Sequence, residues 1–482
     1  MELVTRVPSS GSTYAYSYYA LGELPAVIGA WLLTLEYGMS GAGVARSWAD
    51  KMYDWLQEDY PNTNFNWMNK KHYNFLGALI MALSVIVLLC GVKFGKFFVN
   101  TITSIKVGIV LFIIVGGFIV MEPDNLSPFV PPREDGAYGT QGVISAASLA
   151  FFGYIGFDEV CCLAAEAKNP KKVMPMAVIG VVGITMFLSC FASLVLSGMV
   201  DYHEATNFPA GFKAQGVKWA ATLVHAGEVV TMPVVVLVSF LAQPRLNYAL
   251  ACDGLMPQIF AKVDDKGNLF INTLLSGTLF TVIAFLVPFD VLWDIVSFGI
   301  LLSFVMSNSA LVIVRTRKET PKGSRIAMLS LVICACVSTF CFHMGWENND
   351  ETASLVIAII FFVGWVAATV YLGFFCPQEP NDADNYSAPL VPFLPAIAIL
   401  ADFYLMSQLT PKGIRLSLIW IAAAIVSYFV YGYSNSAGRT GWSALLHYIP
   451  QDRNSMRSPM LSVNEVTPSM NAMVKEKAAV VN

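Results

Sequence analysis

The chain has 482 residues, 56% of them apolar and only 13% charged, with a mean hydropathy of +0.60. No soluble domain carries that balance, so the class is an all-α polytopic membrane protein whose surroundings are the lipid bilayer. The net charge of −4 is spread over loops without a basic stripe or interleaved aromatics, which excludes nucleic acid as a partner.

Apolar runs of about 20 residues predict spans near 21–45, 75–95, 99–121, 141–166, 173–200, 228–251, 270–288, 291–315, 325–343, 353–376, 389–409 and 414–433, about 12 in all. The runs are long and continuous, where strands of an outer-membrane barrel would alternate over about ten residues. In chain order this divides the sequence into a leading loop (1–20), a core (21–315), additional helices (316–433) and a cytosolic, mostly disordered tail (434–482), which from about Gln451 is polar, rich in Met and Ser, and without helical period. Lys93, Lys96 and Lys106, then Lys168, Lys171 and Lys172, then Arg315, Arg317, Lys318, Lys322 and Arg325 gather at alternate junctions, which puts those on the cytosolic side. The opposite loops hold Glu122, Asp124, Glu134, Asp135, Asp201, Glu204, Glu347, Asp350 and Glu351. Lys412 and Arg415 fall outside this scheme, and the 377–388 loop has acids but no base.

Three places in the spans carry polar chemistry. Glu36 lies within the first apolar run, in LLTLEYG, and Lys106 lies within the third, where its long stem could also snorkel to the cytosolic interface. The fourth run is interrupted: FFGYIGFDEV places Gly153, Gly156 and Asp158 in a segment otherwise apolar enough to span. Each glycine weakens a helix by roughly 1 kcal/mol relative to Ala. A helix opens at bilayer depth only where it lines a cavity, because backbone groups in hydrocarbon must be paired. The bland alternative has the glycines packing between helices and Asp158 capping at the interface. The nine cysteines lack metal spacing and the five histidines are scattered, so the sequence points to no metal, no cofactor and no catalytic residue.

RVPSSGSTYAYSYYALGELPAVIGAWLLTLEYG (6–38), FFGYIGFD with EAKNPKKVMP, ACDGLMP (251–257), SFGILLSFVMSNSALVIVRTR (297–317) and PLVPFLPAIAILADFYLMSQL (389–409) together resemble the cationic amino acid transporters of the amino acid-polyamine-organocation superfamily. That resemblance implies a leucine-transporter-like fold of two inverted five-helix repeats plus four helices, with an amino acid bound where helices unwind. It implies that Phe152, Gly153, Tyr154, Ile155, Gly156, Phe157 and Asp158 form the substrate-binding break, backbone carbonyls meeting the amino group. It assigns Glu36 an electrostatic role toward a cationic side chain or proton, and Lys106 a role in proton coupling. The family's fourteen helices imply that its first two have no counterpart here, so the fold is read as truncated at the N-terminus.

The implied function is secondary transport of amino acids, cationic ones (arginine, lysine, ornithine) foremost, by alternating access, in a plasma, vacuolar or lysosomal membrane. A truncated, transport-inactive sensor or regulatory membrane protein is the alternative. Cys252 stands where the family has arginine, and Ala165 where it has the first of two acids. Oligomeric state is not encoded in these patterns.

Overall fold

With no water to satisfy backbone N–H and C=O groups, apolar chain inside a bilayer folds as helix, and helix dominates this protein. The computed structural model describes residues 1–6, 13–59, 69–70, 73–90, 96–132, 139–150, 153, 156, 161, 170–203, 207–264, 268–316, 321–378 and 386–436.

In chain order these are α1 (Glu2–Arg6), α2 (Thr13–Ala20), α3 (Glu23–Thr34), a π-helical turn (Leu35–Met39) and α4 (Ser40–Asp59). A minimal antiparallel pair follows, β1 (Asn69–Lys70) and β2 (Tyr73–Asn74), with Asn69 opposite Asn74. Next come α5 (Phe75–Leu89), α6 (Lys96–Val120), α7 (Gly139–Ala150), α8 (Pro170–Met199), α9 (Phe208–Ala214) and α10 (Lys218–Cys252). The remainder is α11 (Phe270–Leu286), α12 (Phe289–Thr316), α13 (Pro321–Phe340) with a π turn (Cys341–Glu347), α14 (Thr352–Phe374), α15 (Phe393–Ser407), α16 (Pro411–Ser427) with a π turn (Tyr428–Gly432), and α17 (Tyr433–Asn435).

Among the described residues, 7 helices are long and apolar enough to cross a membrane, and α5, α11 and α15 are shorter apolar ones. Each predicted span overlaps one of the helices above, though α10 begins ten residues before the predicted 228–251. The expected first span is too short: α3, the π turn and α4 run on to Asp59. Hydropathy misses the extension because Arg46, Asp50, Lys51 and Asp54 recur along it. Arg46 is nevertheless buried, its Nη1 donating to the carbonyls of Ala284 (3.2 Å) and Phe285 (3.0 Å), so it satisfies the acceptors that the last turn of α11 leaves over.

Helix starts follow side-chain chemistry. Asn74 Oδ1 accepts from the Gly77 N–H at 2.7 Å to begin α5, Asn207 Oδ1 accepts from Ala210 at 2.8 Å to begin α9, and Thr410 accepts from Gly413 at 3.1 Å ahead of Pro411 at the head of α16. α12 is the central post: 72% of its most apolar window is buried, against 17% for α6 and α8. It packs on α2, α3, α4, α7, α13, α15 and α16. Two apolar clusters meet there, one with α13 and α15 through Leu301, Leu331 and Ile399, the other with α4 and α5 through Val296, Ala42 and Met81.

The end of α12 predicted to be cytosolic is tied by charge. Arg315 grips Glu2 with Nε–Oε1 at 2.8 Å and Nη2–Oε2 at 2.5 Å, and Arg6 Nε adds a contact at 3.0 Å. The Ala388 N–H donates to the same carboxylate at 2.8 Å. Burial alone would raise the Glu2 carboxyl; the Arg315 and Ala388 hydrogen bonds and the charges of Arg315 and Arg6 outweigh it and hold the group below its ordinary value. Nearby, Tyr14 of α2 donates to Asp253, just past α10, at 2.5 Å.

Candidate functional site

Glu36 sits inside the π turn between α3 and α4 and is only 1% exposed. A π turn carries one residue more than α geometry allows, and it recurs at functional sites. Here its cause is visible in the side chains. The Gly38 N–H donates to Gln243 Oε1 of α10 at 3.2 Å. Gly38 is required by close approach, since a Cβ there would stand 2.3 Å from the Phe280 ring of α11.

From Gln243 a buried amide ladder continues between α10 and α11. Gln243 Nε2 donates to Thr34 Oγ1 (3.3 Å) and to Asn247 Oδ1 (2.8 Å), and Asn247 Nδ2 donates to Ser276 Oγ (2.9 Å) and Asn272 Oδ1 (3.3 Å). Asn272 Nδ2 ends the run on the carbonyls of Pro244 (2.9 Å) and Phe260 (3.0 Å). Pro244 has no N–H and so weakens α10 locally, and its own carbonyl is taken up by Asn272 of α11. Every amide in the run has a partner, which makes it a brace that fixes the π turn against α10 rather than a ligand set. Sequence reasoning missed it. The available signal was two polar pairs at i, i+4 inside apolar spans, Gln243 with Asn247 and Asn272 with Ser276.

The interrupted fourth span is described in part. α7 runs to Ala150, Gly153 lies in a 3-10 turn with no described residue close to where a Cβ would go, and Gly156 takes φ 99°, a left-handed conformation that only glycine adopts without strain. Neither described glycine of this stretch is in α geometry. Phe152, Tyr154, Ile155, Phe157 and Asp158 lie outside the described residues. α7 packs on α12 and α15, and the π turn with Glu36 packs on α10, α11 and α12, so both reach the central post.

Lys106 stands six residues, about 9 Å at 1.5 Å per residue, into the apolar stretch Asn100–Val120 of α6. Its side chain is uncovered by the described residues. α6 packs on α8 and on α10. The structure thus sets Glu36 and Lys106 on different helices that share α10 as a neighbour.

An amino acid permease model matches residues 1–400, and a model of the C-terminus of amino acid permeases matches 386–436. The chain belongs to the amino acid permease family. This permease is 26% identical to cationic amino acid transporter 4 of Mus musculus over 98% of the chain and 85% of that relative. It is 28% identical to cationic amino acid transporter 5 of Arabidopsis thaliana over 89% of the chain and 76% of the relative. It is 33% identical to the methylthioribose transporter of Bacillus subtilis over 67% of the chain and 71% of the relative. Family and fold make the permease a multi-pass membrane transporter of small molecules, not an enzyme.

Proposed function

We propose that this permease moves amino acids by alternating access, cationic ones such as arginine, lysine and ornithine foremost. The observation that carries this reading is Glu36, a carboxyl buried at 1% exposure in a π turn at the middle of a spanning helix and held there by the Gln243 brace. An ionisable group so placed is costly in a bilayer and pairs with a cavity, a cation or a proton. The break at Gly153 and Gly156 supplies the complementary half. Helix ends suit an amino group, and we assign that role to the stretch 152–158, with Asp158 in it, as the family resemblance implies. The names of the mouse and Arabidopsis relatives support the cationic class.

Lys106 is the group we assign to proton coupling, since a lysine at span depth changes protonation readily with its surroundings. The Bacillus relative, named for an uncharged thio-sugar, supports a second reading in which Glu36 braces the helix and the substrate is neutral. Uptake of labelled arginine, leucine and methylthioribose by permease in vesicles separates the two. Glu36→Gln is expected to lower arginine uptake at least tenfold more than leucine uptake, about 1.4 kcal/mol of selective binding. Equal losses for every substrate sink the cationic reading.

A further inference from the structure

The region where α4, α6 and α10 meet holds more ionisable groups than one coupling lysine needs. Lys51 of α4 pairs with Glu228 of α10, Nζ to Oε2 at 2.6 Å, with the two side chains 32% and 20% exposed. One turn before Glu228, His225 is buried and lies parallel to the Trp55 ring of α4, centroids 6.0 Å apart and planes 4° from parallel. Asp54, a turn beyond Lys51, feels the charges of both His225 and Lys51. Trp48 Nε1 donates to the Val229 carbonyl at 2.9 Å and fixes the register of α4 on α10.

α6 arrives from the third side. Gly227 lies so close to it that a Cβ there would stand 2.3 Å from Ile109 Cδ1, and Lys106 is three residues before Ile109 on the same helix face. The Glu228 carboxylate is the charge that acts on Lys106. α5 and α11 carry no charged side chain, Lys213 of α9 precedes the first turn of α10, Glu23 of α3 acts on Asp253 at the opposite end, and Glu36 of the π turn lies at the level of Gln243, about four turns further along α10. The Glu228 carboxylate is thus paired with one ammonium group, Lys51, which also has Asp54 beside it, and acts on a second, Lys106, from a different helix.

We propose that Glu228 is a shared counterion, paired with Lys51 while Lys106 is neutral and drawn to Lys106 when that amine takes up a proton, so that proton uptake at Lys106 releases Lys51 and α4 from α10. This rests on the assignment of coupling to Lys106 and adds the residue that positions its charge. A carboxylate favours the ammonium form over the amine, so Glu228 sets the pH at which Lys106 loads. Lys51 competes for the same oxygen atoms and opposes that effect.

The test is the pH profile of substrate uptake by the full chain in vesicles, normalised to the amount of permease in the membrane. Lys106→Ala is expected to remove the pH-dependent limb. Glu228→Gln is expected to move that limb toward acid by about one pH unit, tenfold in proton concentration, and Lys51→Met to move it toward alkaline pH, while Glu228→Asp keeps it in place. Opposite displacements from the two halves of one ion pair are not what a merely structural bridge produces. If Lys106→Ala changes the profile while Glu228→Gln and Lys51→Met leave the limb where it was, or shift it the same way, the shared counterion is overturned and the coupling lysine stands. A Lys106→Ala profile identical to wild type overturns both. Should Glu228→Gln fail to reach the membrane, Lys51→Met decides alone, because its side chain lies at the rim of the bundle.

Discussion

Replacing Gln243 by Leu tests whether the buried amide ladder holds the π turn. The substitution roughly conserves size while removing the amide, so packing changes little and the loss isolates the hydrogen bonds. Three disappear: to Gly38 N–H at 3.2 Å, Thr34 Oγ1 at 3.3 Å and Asn247 Oδ1 at 2.8 Å. Interhelical hydrogen bonds inside membrane proteins average about 0.6 kcal/mol, which gives roughly 1 kcal/mol for the two that leave α10. Thr34 keeps its own bond to Ala30, but Gly38 N–H and Asn247 Oδ1 lose partners in a buried site, and stranded groups cost roughly 1 to 3 kcal/mol each. The expected loss is therefore about 2 to 4 kcal/mol, measured as the shift in reversible unfolding of purified protein in mixed micelles of rising denaturing-detergent fraction. Gln243→Glu keeps an acceptor for Gly38 and, when protonated, one donor, so its loss should be smaller in mild acid than at neutral pH. A loss below about 1 kcal/mol for Gln243→Leu would refute the brace and leave the π turn as a product of Gly38 and Phe280 packing alone.

Gly156→Ala should reduce uptake sharply and cost roughly 1 to 3 kcal/mol, because φ 99° strains any residue with a Cβ, whereas Gly153→Ala, which meets no described residue and has no left-handed φ, should retain uptake; equal effects would remove the backbone argument. Arg315→Leu leaves the buried Glu2 carboxylate with only Arg6 and the Ala388 N–H and should destabilise by about 3 kcal/mol in the same micelle titration, a loss that Glu2→Leu in the same molecule should largely relieve. The Glu2 group is held below its ordinary value of 4.5, so its contribution is complete above that pH and disappears as pH falls through the lower folded value. Thermal stability should consequently be flat through neutral and mildly acidic pH and drop below about 4.5, with Glu2→Gln flattening that drop.

Much of the architecture was legible because hydrocarbon leaves helix as the answer wherever about 20 apolar residues run together. α5, α6, α8 and α12 to α16 fall where hydropathy placed them. The outer half of the first span was illegible: Arg46 reads as a terminus in a hydropathy window, yet it is buried against the end of α11, a partner more than 230 residues away. The site divides in the same way. Gly156 was legible, since a glycine inside an apolar run has a backbone meaning that depends on little else. The Gln243 ladder was not, because Thr34, Gly38, Gln243, Asn247, Asn272 and Ser276 become one object only after three segments are packed. Glu228 was hidden by its ordinary appearance as an acid near the end of a span; its meaning comes from Lys51 and Lys106, each more than 100 residues distant.

The π turn at Leu35–Met39 has one more consequence, best seen as a gear between two halves of a rod. Up to Tyr37 the inward teeth are Ala26, Ala30, Leu33 and Tyr37, meshing with Tyr14, Leu246 and Leu250. Beyond it they are Ala42, Ala45 and Ala49, and the first two of these join the cluster with Met81 and Phe240 that Leu32, Leu35 and Met39 also enter. An uninterrupted helix would have presented residues near 41, 44 and 48 instead, so the extra residue turns the outer half by about 100°. Deleting a single residue from this turn would rotate Arg46 and Lys51 off their partners together, while every apolar run in the sequence kept its length.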